Sequence, residues 1–193
     1  MSDTVRRNPL IALERVFLGA WRMARGEPEW RALFEDSQAG LVRSFLAPLL
    51  ALPFDLLALA VLRRGESWPK LEMELWAGAA TTVMVAAGYP LVMLGVTRAF
   101  GFSLGLRLFI IVLNWAFLAL DLFNMILTPT ALLDFSLYAS IEFMLLMPLT
   151  FFVIWRATDE TLSTEWRVKL MCTVLYVGVL TGAQVLADFA FPT

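Results

Sequence analysis

The chain contains no histidine and one cysteine, Cys172, which lies in an apolar run. Without histidine, the usual Cys/His zinc sites, Ser-His-Asp and Cys-His catalysis and histidine-ligated haem are excluded within this chain. One cysteine rules out an intrachain disulfide. Charge is also scarce: 17% of residues are charged, with a net charge of −2. Soluble domains carry nearer about 25%, and a nucleic-acid binder would show a basic patch or stripe. Nucleic acid is therefore not an expected partner, and no cofactor or metal is expected.

What the chain has instead is apolar length. Of its 193 residues 60% are hydrophobic, and mean hydropathy is +0.74. The charges cluster, leaving runs long enough to cross a bilayer, where backbone polar groups must be satisfied inside helices. The spacing predicts five spans at about 44–62, 75–97, 107–127, 137–155 and 170–187. The charged separators "RRGESWPKLEME", "RAFGFSLGLR" and "RATDETLSTEWRVK" lie between them, and only "TPTALLDFS" lacks a base. The expected fold is all-α, a polytopic five-helix membrane bundle. Residues 1–43 form a cytoplasmic lead, 44–187 the membrane domain and 188–193 a short outer tail. The lead shows no cleavable signal peptide, since it is charged throughout.

Bases set the orientation. With the N-terminus inside, twelve fall on the cytoplasmic side and three, Arg63, Arg64 and Lys70, on the other. The positive-inside rule gives N-in and C-out. Trp68, Trp76, Trp155 and Trp166 fall near the expected interfaces. A bacterial cytoplasmic membrane is the expected location.

In "NPLIALERVFLGAWRMARG", Leu10, Leu13, Phe17, Trp21 and Ala24 recur at three- or four-residue spacing, with Glu14, Arg15, Arg22 and Arg25 roughly opposite. Ile11 and Leu18 interrupt the polar face. This reads as an amphipathic helix after Pro9 that ends near Gly26. It either packs on the cytoplasmic ends of the spans or lies on the inner leaflet. A second short helix is expected over "EWRALFEDSQAGLVR".

Polar groups within the spans carry the functional information: Asp55, Asn114, Asp121, Asn124, Glu142 and Gln184. A central aspartate costs about 2.5–3.5 kcal/mol to insert. At about 1.5 Å rise per residue, Asp55, Asp121 and Glu142 lie roughly 3, 5 and 6 Å to the outer side of their spans' middles. Asn114, Asp121 and Asn124 fall within about 80° of one face. The short third loop makes spans 3 and 4 antiparallel neighbours, so Asp121 and Glu142 are expected to approach. No lysine or arginine lies in the core to neutralise them. A proton- or cation-binding cavity open to the outside follows, or else acids that join helices by hydrogen bonds. Pro48, Pro53, Pro90 and Pro148 each remove a backbone donor within a span. "GVLTG" places Gly178 and Gly182 at helix-contact spacing, for a neighbour in the chain or a second copy. In "GFSLG", Gly101 and Gly105 suit a turn, and Asp159 and Glu160 suit a solvated capping segment.

The charged lead, five spans and short outer tail resemble the Yip1 family. "LVRSFLAPLLALPFDLLALA" is similar in character to the first span of its bacterial members, and "GYPLVMLG" to a glycine-tyrosine segment of its middle spans. The eukaryotic Asp-Leu-x-Gly-Pro signature is absent, with "FDLLAL" in its place. The resemblance implies a non-enzymatic membrane organiser that works with the bilayer and with a second copy or a partner membrane protein. The intramembrane acids point instead to a small proton- or cation-coupled transporter or permeation subunit.

Overall fold

In a computed structural model, residues 9–101 and 105–192 are described; every described element is helical. Five helices are long and apolar enough to cross a membrane: Gln38–Leu62, Trp68–Phe100, Leu106–Leu133, Phe135–Thr161 and Trp166–Ala190, here spans 1 to 5. The chain is an integral membrane protein of the all-helical bundle class. Span 3 is its axis, with 39% of its most apolar window buried against 11–22% for the others. Around Phe109, Ile111, Val112 and Leu113 of that span pack Met93 of span 2, Ile154 of span 4 and Cys172 of span 5, all essentially inaccessible.

The helices extend further than apolarity alone reaches. Span 2 begins at Trp68 through "WPKLEME", with Pro69 in its first turn, where a missing N–H costs nothing. It runs unbroken past Pro90 to Gly101, whose φ of 78° supplies a left-handed stop. Residues 102–104, the middle of "GFSLG", lie outside the described residues. In span 4, Glu142–Leu146 form a π-helical stretch that closes with Met147 N–H to the Glu142 carbonyl. Pro148, just beyond, has no N–H for the preceding turn, and wider turns of this kind take up such a defect.

The lead folds onto the spans. Its helix, Pro9–Arg25, ends at Gly26 (φ 74°), with Gly26 N–H to Met23 O and Glu27 N–H to Arg22 O both at 3.0 Å. Leu13 and Phe17 pack against Ala47, Ala51 and Leu118 on the seam of spans 1 and 3, and Val16, Ala20 and Met23 join the main core. The contact face is therefore rotated from the expected one: Trp21 is 62% exposed and Met23 is buried. The side chains of Leu10 and Ile11 lie outside the described residues. The second helix is two pieces, a 3-10 turn at Pro28–Leu33 and a helix at Gln38–Ser44. Ser37 divides them by capping the latter, its Oγ accepting from Gly40 N at 2.9 Å.

Asp159 and Glu160 are not a solvated cap. Arg156 meets Asp159 at 3.2 Å and Glu160 at 2.9 Å, and also donates to the Met23 carbonyl at 3.2 Å. Lys169 reaches Asp159 at 2.6 Å. Buried Trp30 donates Nε1–H to Glu160 at 3.3 Å, and Arg31 donates to the Glu160 carbonyl. The lead is thus fastened to span 4, which Lys169 ties to span 5, at the base-rich end of the bundle.

Candidate functional site

Two of the three intramembrane carboxylates share a cavity. Asp55 from span 1 and Asp121 from span 3 line a space of about 230 Å³ between the spans, with Thr81, Thr82 and Tyr89 of span 2, Asn114 and Phe117 of span 3, Thr150 of span 4 and Tyr176 of span 5. The helix periodicity of span 3 explains the pairing within it: Asn114, Phe117 and Asp121 sit at i, i+3 and i+7 and so face one way. Asn114 is 9% exposed and donates Nδ2–H to Ser44 Oγ at 3.0 Å. That hydroxyl passes its own hydrogen to the Leu41 carbonyl at 2.8 Å. This bond ties span 3 to the start of span 1 below the acids.

The wall above Asn114 is aromatic. Tyr89 and Tyr176 meet edge to face at 5.4 Å, and Phe117 lies 5.1 Å from Tyr176. Tyr89 donates its hydroxyl to the Cys172 carbonyl at 3.1 Å, which locks spans 2 and 5 together. Thr82 Oγ1 stands 3.4 Å from Asp55 Oδ2, a long bond at the edge of the accepted range. Asp121 has no hydrogen-bond partner among the described residues.

A second cavity of about 320 Å³ adjoins the first. Asp55, Thr81 and Thr82 line both. The second runs to Arg63, Glu74, Gln184 and Asp188 at the end of the bundle opposite the basic lead. Arg63 pairs with Glu74 at 2.8 Å, and Arg63, Gln184 and Asp188 are exposed. Polar side chains thus line both cavities, from Arg63 and Asp188 at that surface to Asp55, which shares the inner cavity with Asp121.

The other expected residues lie elsewhere. Glu142 is exposed on the π-helical stretch and lines neither cavity, so it does not approach Asp121. Asn124 accepts from the Tyr138 hydroxyl at 3.0 Å and so joins spans 3 and 4 outside the cavity. Gln184 belongs to the second cavity. Gly178 and Gly182 are exposed, and a Cβ at either would meet nothing within 4 Å. Span 5 instead turns Val179 toward span 2, where a Cβ on Gly88 would stand 3.4 Å from it. Sequence reasoning missed Thr81, Thr82, Tyr89, Phe117 and Tyr176. The adjacent hydroxyls of "TT" in an apolar span were the available signal.

Among the described residues no three His, Cys, Asp or Glu side chains converge as a metal site would require. Compared with protein-family profiles, curated proteins and solved structures, the chain matches none.

Proposed function

We propose that this protein is a non-enzymatic membrane protein that takes up a proton or small cation from the outer side, with Asp55 and Asp121 as the acceptors, in the manner of a small transporter or permeation subunit. One observation carries the reading: two carboxylates from different spans enter one cavity, and Asp55, Thr81 and Thr82 also line a second that reaches the end opposite the basic lead. With the twelve bases of the N-terminal side in the cytoplasm, that end faces outward. No lysine, arginine or histidine lines the inner cavity, so charge on the acids must be met by a proton or an entering cation. A bacterial cytoplasmic membrane suits such a role.

The Yip1-like organiser is the second reading. It is supported by the five spans and by the lead that packs on them. It needs a partner surface, and the exposed face of span 5 through Gly178 and Gly182 would offer one to a second copy.

Infrared difference titration of the protein in lipid separates the two. Carboxyl bands that respond to external pH and to added cations, and that disappear singly in Asp55→Asn and Asp121→Asn, are expected. Bands indifferent to both would sink the uptake reading and leave the organiser.

A further inference from the structure

The inner cavity has an unequal supply of hydrogen-bonding groups. Most of its donors are spent on the protein, and only the Tyr176 hydroxyl and one Asn114 amide hydrogen lack an acceptor among the described residues. Thr81 donates to the Ala77 carbonyl at 2.9 Å, Thr150 to the Leu146 carbonyl at 2.9 Å, and Tyr89 to the Cys172 carbonyl at 3.1 Å. One Asn114 amide hydrogen goes to Ser44, and Thr82 faces Asp55.

Its acceptors are free. Asp121 accepts from nothing among the described residues, and Asp55 accepts only the long Thr82 contact. Asn114, nine-tenths buried, has an Oδ1 with no donor among the described residues. Ala86 lines the cavity four residues before Pro90, which also lines it. Proline has no N–H, so the Ala86 carbonyl lacks its helical partner. Acceptors left bare in a low-dielectric interior are costly. An occupant that donates several hydrogen bonds and carries positive charge would relieve all of them.

An ammonium group has three donors and no acceptor. The rest of the wall decides what it is attached to. Val85, Ile110, Leu113, Leu118 and Leu180 are apolar, and Phe117 and Tyr176 present ring surface, which attracts a cation at close range. A bare metal ion would find two carboxylates, the Asn114 Oδ1 and the Ala86 carbonyl, fewer than the roughly six to eight oxygens that a calcium ion takes. The space, about 230 Å³, is below the roughly 300–1,000 Å³ of drug-sized pockets.

We propose that the inner cavity binds a small primary ammonium compound, with its charged head between Asp55 and Asp121 and a short apolar body against Phe117 and Tyr176. This rests on the outward cation-uptake reading and narrows its ligand. The ammonium has two sources, a free amine or an ethanolamine lipid headgroup.

The test is titration calorimetry on the whole chain in phosphatidylcholine nanodiscs, with isobutylammonium as the probe. Sodium at equal ionic strength, tetramethylammonium and isobutanol are the comparators. Isobutylammonium is expected to bind at least about tenfold more tightly than tetramethylammonium, which has no N–H to donate. Asp121→Asn is expected to weaken it by at least about tenfold. Phe117→Leu, which keeps an apolar body, is expected to weaken it about three- to thirtyfold. Melting curves identify any variant that has lost its fold, and the second variant then decides. Replacing phosphatidylcholine with phosphatidylethanolamine distinguishes the sources: competition identifies a headgroup, and its absence a free amine. Equal binding of tetramethylammonium or isobutanol, or binding that neither variant weakens, would overturn the proposal. If sodium and protons perturb the acids while isobutylammonium does not bind, the ammonium inference fails and the uptake reading stands. If nothing perturbs them, both fail.

Discussion

Arg156→Met is expected to lower the melting temperature by about 5–10 °C and to release the lead from the bundle. Arg156 is the one side chain that joins the lead's Met23 carbonyl to both Asp159 and Glu160. Removing it leaves Asp159 with Lys169 and Glu160 with the Trp30 N–H, and frees the glycine reversal at Gly26, over which the guanidinium sits. Breaking a buried pair costs about 3–5 kcal/mol. The side chains here are 21–26% exposed, so about 2–3 kcal/mol is the appropriate scale. At about 2–4 °C per kcal/mol for a chain of this size, the stated shift follows. Arg156→Lys keeps the charge but loses the fork that reaches three acceptors, and should fall between. Brief trypsin digestion of the folded protein should then cut after Arg25 and Arg31 in the methionine variant well before the wild type. Unchanged melting and unchanged cleavage would show that the lead is held by its apolar face alone.

Asp121→Leu is expected to have the opposite effect on stability. Asp121 lies on a membrane span and has no hydrogen-bond partner among the described residues. Insertion energies set the sign: a central aspartate costs about 2.5–3.5 kcal/mol, and leucine costs nothing. The leucine variant should therefore be about 1–3 kcal/mol more stable, a gain discounted because Asp121 faces a cavity and not lipid. It should also lose its response to external cations. Asp55→Leu should gain less, since it gives up the Thr82 contact. Thermal melting in lipid measures both. A fall in stability for Asp121→Leu would mean that the acid joins helices and has no ligand to serve.

These contrasts show where sequence is informative. Apolar length alone located the five spans, because lipid permits few other solutions. The helices run past the apolar spans where they continue through charge, as at "WPKLEME", whose Lys70 and Glu74 find partners in Glu66 and Arg63. The convergence of Asp55 and Asp121 was legible as a common depth, since rise per residue is fixed. The exclusion of Glu142 was not legible, because direction depends on how span 4 is turned against its neighbours and on the π-helical stretch. The Gly178–Gly182 spacing was real, yet it faces outward, while Gly88 serves the contact with Val179. Tyr89 and Tyr176 gave no local signal; only packing brings their rings to the acids.

The central claim is that the acids are reached from the face opposite the basic lead. Thr82→Cys tests it most directly, because Thr82 lines both cavities and touches Asp55. Native Cys172 is fully buried and serves as a silent background. A membrane-impermeant cationic methanethiosulfonate would be applied to either side of sealed vesicles of known orientation. Labelling of Thr82→Cys from the outer side, and not from the side of the lead, is the predicted result. Labelling from the lead side, or from neither, would contradict the account.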